Sequence, residues 1–241
     1  MRLPKPIQFL TLVTLISLAG MVEGGQAVIS GTVRLIGSPP ATPQASAYAD
    51  SDEYRDKTQS LLLGTNQSVR EAIVYLDGFS VNGANPESNN MAILDQRNSE
   101  FIPRIQIARS GVPLILRNSD PILHVVRIDS VSGTNDSRRL LQVATPYAGY
   151  EKKFQLANFA EPTLLRVTSA NGQGWMAAYI AVMPHPWAAL TDENGRFVLR
   201  NVPAGKHKIY AWHEALGTLV REVQVNGAHT DMLDFQFNTK R

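Results

Sequence analysis

The sequence of 241 residues contains no cysteine. This absence excludes disulfides, thiolate zinc sites, haem attachment through a Cys-x-x-Cys-His motif and catalysis by a thiol. A Gly-x-Ser-x-Gly elbow and a glycine-rich phosphate loop ahead of a helix are also missing. No basic stretch interleaved with aromatic residues points to nucleic acid. We therefore predict that the protein is not an enzyme and does not bind nucleic acid.

Long apolar runs are absent too, with one exception near the start. Arg2 and Lys5 precede an uncharged run at residues 9–22, and the small residues Gly25 and Ala27 follow it. This order is typical of a cleaved secretory signal, and the run is shorter than the roughly 18 residues of a membrane-spanning helix, the alternative interpretation. We predict a signal peptide at 1–27 and a mature protein that is periplasmic or secreted in a bacterium, with no membrane contact after cleavage.

What remains is a pattern of short β segments. Runs rich in β-branched residues are separated by Gly, Pro and Asn breakers, with the turn spacing of an all-β sandwich or barrel. The strand candidates are 28–36, 71–78, 91–95, 101–107, 112–117, 124–128, 140–143, 150–156, 163–168 and 177–183. The sequence therefore predicts an all-β fold with enough strands for a two-sheet sandwich.

The pattern changes at Pro184-His185-Pro186, where a compact β motif begins. The segment 191–197 reads Thr-Asp-x-x-Gly-x-Phe, and 202–205 reads Val-Pro-x-Gly, so hairpin turns are expected at both places. These signatures resemble the carboxypeptidase regulatory-like module, which is a transthyretin-like β sandwich without peptidase activity. The resemblance implies a second, small sandwich at 184–241, joined to the first by a linker that two prolines stiffen.

The long middle stretch resembles a known bacterial family. Its residues run from Phe101 through Asn118-Ser119-Asp120 and His124-Val125-Val126 to Trp175-Met176 and a last strand that ends at Met183. This order resembles the periplasmic cupredoxin-like proteins called methylamine utilization proteins. The resemblance implies a cupredoxin-like Greek-key sandwich over 28–183, with N-terminal strands and loops in 28–86 and the main sandwich in 87–183.

The resemblance also implies positions for copper ligands. Copper-binding relatives use a histidine on one strand and a loop of the form Cys-x-x-His-x-Trp-Met. Alignment on Trp175-Met176 puts Ala170 at the cysteine position and Gln173 at the histidine position, and a shift of one residue puts Ser169 or Asn171 at the former. His124 stands at the first ligand position. Only His124 and Met176 remain as metal-ligand candidates, so we do not expect copper as a cofactor.

Three functional hypotheses follow. The first is a non-catalytic binding or accessory protein that uses a cupredoxin-like scaffold without a complete copper site, beside a periplasmic electron-transfer system and with an unknown protein partner. The second is a metal-binding or redox protein that uses His124 with His185 or His213. The third is a hydrolase assembled from scattered residues. Under the first hypothesis His124 is a half-buried, hydrogen-bonded histidine, and Trp175, Trp187 and Trp212 anchor the core or the domain interface.

Overall fold

The computed structural model describes residues 27–39, 63–78, 91–132, 136–156, 159–226 and 230–238. The predicted signal lies outside these residues except for Ala27, which opens the first strand. The strands are β1 (Ala27–Ile36), β2 (Ile73–Leu76), β3 (Ala92–Arg97), β4 (Glu100–Ile102), β5 (Ile105–Arg109), β6 (Pro113–Asn118), β7 (His124–Ser132), β8 (Asp136–Thr145), β9 (Tyr150–Gln155), β10 (Thr163–Ser169), β11 (Ala177–Met183), β12 (Ala188–Leu190), β13 (Arg196–Val202), β14 (Gly205–His213), β15 (Gly217–Val225), β16 (Thr230–Met232) and β17 (Phe235–Asn238). A 3-10 turn at Thr65–Gln67 is the only helical element in these ranges. The all-β prediction is confirmed, and the described part of the chain holds no helix long and apolar enough to cross a membrane.

The strands form four sheets. The first has the order β13-β1-β16, with β17 also paired to β1, and the second has the order β12-β2-β14-β15. The third sheet is β5-β11-β10-β7-β8, and the fourth is β4-β3-β6-β9. One hydrophobic cluster joins the first two sheets, another joins the last two, and a third joins the second sheet to the third. The sheets are therefore stacked in this order as four layers with three cores.

The two inner layers are buried on both faces where they pack against each other. In β2, Val74 and Leu76 point into the core shared with the first sheet, whereas Ile73 points to the third sheet. In β11, Ile180 points into the core shared with the fourth sheet and Met183 points back toward the second sheet. Because side chains alternate between the faces of a strand, such strands need apolar residues at consecutive positions.

We call the contact between the second and third sheets the seam. Its buried residues are Ile73, Ile105, Ala181 and Met183, with Tyr75, Ile107, Leu164, Ala188, Leu190 and Trp212 packed against them. At its edge Arg104 forms an ion pair with Glu214, whose side chain is only 6% exposed. The seam is therefore a third core with a buried ion pair, and it fixes the two sandwiches against each other.

The predicted domain boundaries are wrong for the N-terminal strands. Residues 28–86 were assigned to the cupredoxin-like domain, but β1 pairs with β13, β16 and β17, and β2 lies between β12 and β14. Strand alternation tells which face of a segment is buried and does not tell which sheet it joins. The strands in the described parts of 27–78 and 184–238 together form one sandwich, the split sandwich, and those in the described parts of 91–183 form the inserted sandwich.

The chain leaves and re-enters the split sandwich at neighbouring points. The Leu76 N–H donates to the Trp187 carbonyl at 3.1 Å, and His185 Nε2 lies 2.9 Å from the Leu76 carbonyl oxygen. The last residues of β2 are thus hydrogen-bonded to the segment that follows β11. This geometry allows the inserted sandwich to interrupt the split sandwich without disturbing its sheets.

The turn at 192–195 has the predicted chemistry but a different connection. Asp192 Oδ1 accepts the N–H groups of Asn194 and Arg196, each at 2.8 Å, and Gly195 has a φ of 70°. However, β12 and β13 lie in different sheets, so this turn is a corner between the layers and the predicted hairpin is wrong. The carboxylate of Asp192 is therefore used by the turn itself.

Gly31 in the middle of β1 permits a close approach of two chain segments. A Cβ atom at this position would overlap the carbonyl group of Leu233. The Leu233 N–H donates to the Ser30 carbonyl at 2.8 Å, which holds the two segments together. The requirement for glycine here comes from backbone contact, since no side chain fits between the strands.

The three tryptophans lie in cores or at the seam, as predicted. Trp187 is 9% exposed and belongs to the core of the split sandwich. Trp212 lies in the seam, with its ring 5.0 Å from that of Tyr179. Trp175 packs against the core of the inserted sandwich, and its Nε1–H donates to the Ser99 carbonyl at 2.9 Å.

Candidate functional site at the His124 end of the inserted sandwich

His124 is the first residue of β7 and is 1% exposed. Both nitrogens of its ring are engaged. Nε2 lies 2.8 Å from Asp120 Oδ2, and Nδ1 lies 2.8 Å from Gln173 Oε1. The ring thereby links the loop before β7 to the loop between β10 and β11.

Asp120 is an ionised acceptor at the base of this network. Its Oδ1 accepts the Asn98 N–H at 2.6 Å and its Oδ2 accepts the Ser99 N–H at 2.9 Å. Burial acts to raise the pKa of Asp120, but the hydrogen bonds from Ser99, His124 and Asn98 outweigh it and hold the pKa below its usual value. Because the carboxylate only accepts, His124 Nε2 carries a proton.

The Asn-Ser-Asp corner explains why Asp120 stands where it does. Asn118 is fully buried, and its Oδ1 accepts the Asp120 N–H at 2.9 Å. Its Nδ2 donates to the carbonyls of Ile122 and Thr145 at 2.9 and 2.7 Å. The asparagine therefore fixes the loop that carries Asp120, and Asp120 fixes the ring of His124. The sequence motif marked this corner, but its role in orienting His124 was not predicted.

Gln173 can satisfy His124 in either of two orientations of its amide. With Oε1 toward the ring, Nδ1 must donate as well, and the ring is an imidazolium. With the amide reversed, its NH₂ group donates to Nδ1 of a neutral ring and to Ser169 Oγ, while the Ser99 hydroxyl donates to the amide oxygen. Ser169 Oγ is then free to donate to Asn171 Oδ1 at 2.6 Å. The network thus accommodates both charge states of the ring.

The residue that faces Gln173 is Ser169. Its Oγ lies 3.3 Å from Gln173 Oε1, and it continues the inward-facing series of Leu165 and Val167 in β10. Ala170, the residue at the cysteine position by spacing, is exposed, and its N–H donates to the Val125 carbonyl at 2.7 Å. The structure therefore favours the alignment that is shifted by one residue.

Met176, the second ligand candidate, is 2% exposed and belongs to the core of the inserted sandwich. Its N–H donates to the Gln173 carbonyl at 3.0 Å, and its carbonyl accepts the Ser169 N–H at 3.2 Å. The loop between β10 and β11 is therefore closed by backbone hydrogen bonds, with Met176 directed into apolar surroundings.

These residues do not fit a type 1 copper ion. The groups at this end are one imidazole, an amide and a hydroxyl, and no residue supplies the thiolate that such a site requires. Among the described residues, no group of three or more His, Cys, Asp or Glu side chains is placed to hold a metal ion. The imidazole nitrogen that would face a ligand is instead hydrogen-bonded to Gln173.

The structure does not bring His124 together with His185. Strands β7 and β11 are both antiparallel to β10 and so run in the same direction. His124 opens β7, whereas His185 follows the end of β11, so the two lie at opposite ends of a strand that is about 20 Å long at 3.3 Å per residue. His185 is fully buried, with Nε2 bonded to the Leu76 carbonyl.

His213 does not complete a site either. It is 1% exposed at the end of β14, and its Nδ1 accepts the Ala215 N–H at 3.2 Å. Within the described ranges, the rings of His124, His185 and His213 are hydrogen-bonded to backbone, carboxylate and amide groups. A hydrolase of the third hypothesis would need one of these rings beside a serine or threonine hydroxyl. The histidines of the second hypothesis are thus hydrogen-bonded to separate partners and do not meet in one site.

The burial of His213 predicts a loss of stability in acid. Burial, with a smaller effect of the Arg104 charge, lowers the pKa of His213 from 6.5 to about 4. Between these values only the unfolded chain takes up the proton, so the stabilisation is complete above pH 6.5 and is lost as the pH falls toward 4. We expect this residue to remove about 3 kcal/mol from the free energy of unfolding over that interval. Urea titrations at several pH values would measure it.

The matched control is His213→Asn, whose amide oxygen can still accept the Ala215 N–H. The comparison is needed because burial also lowers the pKa of His185, while burial raises the pKa of Glu214 and so gives an opposite dependence. The variant should show a shallower decline than the wild type below pH 6.5. Parallel curves for the two proteins would contradict the assignment.

Solved structures resemble part of this chain at low sequence identity. No protein-family model matches the chain, and neither does any curated protein. Among solved structures, the purple cupredoxin from Nitrosopumilus maritimus is 13% identical over 38% of this chain and 98% of its own length, with a TM-score of 0.31. A reduced form of an amicyanin mutant is 12% identical over 45% of this chain and 97% of its own, with a TM-score of 0.31.

A third solved structure is larger than this chain. The copper-containing nitrite reductase (NirK) from Thermus scotoductus SA-01 is 14% identical over 42% of this chain, with a TM-score of 0.31. The match spans only 24% of that enzyme's length. At these identities and TM-scores the likeness carries no conclusion about this chain.

Apolar side chains surround the His124 end. Ile122 and Leu123 are 46% and 50% exposed in the loop before β7, and Tyr147 is 60% exposed in the turn between β8 and β9. The Gly149 N–H donates to the Asn118 carbonyl at 2.7 Å, which ties that turn to the same loop. The buried polar network therefore lies beneath an exposed apolar rim formed by Ile122, Leu123 and Tyr147.

Proposed function

We propose that the protein is a non-catalytic binding or accessory protein whose cupredoxin-like sandwich works without copper. The observation that carries the proposal is the hydrogen bond between His124 Nδ1 and Gln173. An amide takes the place of a metal ligand beside the ring, and no thiolate is available in the chain. The ring, Asp120 and Gln173 then serve to fix three loops rather than to hold an ion.

Binding is the activity that this fixed end favours. The apolar rim of Ile122, Leu123 and Tyr147 exposes large side chains on loops held by the buried network. Clustered apolar side chains of this kind mark protein interaction sites more often than isolated ones do. A rigid support lowers the entropic cost of docking, since the loops need no further ordering. The partner under this proposal is a periplasmic protein.

The setting comes from the sequence. The predicted signal at 1–27 supports export to the periplasm, and the resemblance to methylamine utilization proteins supports a place beside a periplasmic electron-transfer system. The resemblance of the C-terminal segment to a carboxypeptidase regulatory-like module supports an accessory role for the split sandwich. Sequencing the N-terminus of protein recovered from the periplasm would test the export step directly.

Metal content tests the central claim. The mature protein and His124→Ala are each incubated with about a tenfold excess of copper or zinc, passed through a desalting column and analysed by mass spectrometry and visible absorption. We expect less than about one tenth of an equivalent of metal in both proteins, because the ligand set is incomplete. About one equivalent in the wild type that disappears in His124→Ala would replace the proposal with the metal-binding or redox alternative.

A further inference from the structure

The third sheet extends beyond the seam, and its free outer face carries a cluster of arginines. Register places Arg166 of β10 opposite Asp129 of β7, and Asp129 opposite Arg139 of β8. Arg127 precedes Asp129 by two residues and so lies on the same face. We call Arg127, Arg139 and Arg166 the arginine face.

Asp129 is a buried carboxylate at the centre of this face. Its side chain is only 9% exposed and accepts the Nε–H of Arg127 at 2.6 Å, while the Nε of Arg139 is 4.0 Å from its other oxygen. The arginines themselves reach the surface, with side chains 37% exposed for Arg127 and 54% for Arg139, and Arg166 is exposed as well. The buried carboxylate thus holds the guanidinium group of Arg127 by a hydrogen bond, and Arg139 lies at the limit of an ion pair with its other oxygen.

The face has an excess of positive charge. Arg127 and Arg139 form ion pairs with Asp129, and Arg166 lies opposite it in register, so these four residues carry two positive charges in excess. The Glu214 carboxylate at the seam lies within electrostatic range of Arg166, but its ion pair is with Arg104. An acidic ligand would therefore find open guanidinium donors at this face.

The spacing selects among acidic ligands. Arg166 and Arg139 lie on strands two apart, which is about 9.5 Å at 4.7–4.9 Å per strand, with Asp129 between them. A single phosphate that contacted both guanidinium groups would lie close to the carboxylate of Asp129, which repels it. Alternate side chains of an extended peptide are about 6.6 Å apart, so its carboxylates can reach separate arginines. Guanidinium groups pair with carboxylates through two parallel hydrogen bonds.

We propose that the arginine face binds an acidic, extended segment of the protein partner. This inference deepens the proposed function, since it names the partner's chemistry. It uses a surface apart from the His124 end, so that a partner would contact the inserted sandwich at two places. Two uncompensated charges are few for a polyanion such as nucleic acid, which releases many counterions on binding and favours larger basic surfaces.

A labelled peptide of alternating Glu and Ser residues tests the proposal by fluorescence anisotropy at low salt. We expect Arg139→Gln/Arg166→Gln to weaken binding of this peptide about tenfold, the size expected of two exposed charge pairs. The matched control is Lys152→Gln/Lys153→Gln, which removes the same charge from exposed positions of β9 in the fourth sheet. The control should change the dissociation constant by less than about twofold.

The outcomes separate this inference from the proposed function. Equal weakening by both double variants, or no binding of the peptide by the wild type, overturns the arginine face. Tighter binding of a single-stranded oligonucleotide than of the peptide overturns the choice of partner. If the wild type holds metal but the arginine variant alone loses the peptide, the copper-free proposal fails and the arginine face stands. Thermal unfolding of all variants confirms that each is folded.

Discussion

The double variant Ser169→Cys/Gln173→His should bind about one copper ion per protein and become coloured, whereas the wild type should do neither. The change supplies a thiolate and a second imidazole, the two ligands that the His124 end lacks. The strong visible absorption of a copper–thiolate bond makes the gain easy to detect. A gain of function of this kind is a stricter test of the scaffold than a loss.

The histidine that such a site needs is already oriented. His124 Nδ1 points toward Gln173, whose Oε1 lies 2.8 Å from it and 3.3 Å from Ser169 Oγ. Asp120 accepts a hydrogen bond from the Nε2–H, and a carboxylate in this position orients a metal-binding histidine and raises its basicity. Met176 ends the same loop, and its side chain is packed in the core of the inserted sandwich. Only the two substituted positions lack ligand chemistry.

Two control variants identify what each substitution contributes. Gln173→His alone should bind copper weakly and without the visible thiolate band, because no sulfur ligand is present. Ala170→Cys/Gln173→His should fail to give the band, because Ala170 is exposed on the other side of the strand. Copper-dependent colour in the Ala170 variant and none in the Ser169 variant would show that spacing, and not strand alternation, gives the correct alignment.

The difference between Ser169 and Ala170 shows what a motif can and cannot predict. The Cys-x-x-His-x-Trp-Met spacing counts residues back from Met176 and arrives at Ala170. Strand alternation puts every second residue on the same face. Because Leu165 and Val167 lie in the core, Ser169 is the next residue of β10 on that face. The second signal was present in the sequence, since 163–168 was predicted as a strand. Spacing alone favoured Ala170, because it carries no information about which face of the strand a residue occupies.

The polar network could be predicted only in part. The motif located His124 and the Asn118–Asp120 corner, because these residue types recur in the family that the sequence resembles. The bonds from the Asn98 and Ser99 N–H groups to Asp120 come from a turn about 20 residues earlier, and no local pattern records them. Contacts of this kind depend on how sheets stack, which sequence periodicity does not encode.

The split sandwich escaped prediction for a related reason. The segment 28–36 has the alternation of a strand with one buried face, and such a strand fits any sheet that needs one. The sequence placed it with the nearest following strands, whereas the structure pairs it with β13, β16 and β17 at the far end of the chain. The breaker residues at 184–186 marked a real junction, but it is the return point of an insertion.

Residues 184–241 expressed alone should therefore be unfolded. Eight of the seventeen buried residues in the core of the split sandwich come from residues 27–78, and β1 is the strand to which β13, β16 and β17 all pair. Without β1 and β2, one sheet loses its centre, and the other loses the strand between β12 and β14. A fragment of fewer than about 60 residues is marginal even with a complete core. Amide proton shifts confined to the random-coil range would show the loss.

Joining residues 27–78 to 184–241 through a short glycine-serine linker should restore the fold. The bonds between Leu76 and both His185 and Trp187 show that the two ends of the insertion already lie side by side, so a short linker can replace residues 79–183. The seam would then expose Ile73 and Trp212, and we expect the joined protein to self-associate through this apolar face. Dispersed amide shifts in the fragment 184–241 itself would contradict the split sandwich, because they would require that sheet to form without its central strand.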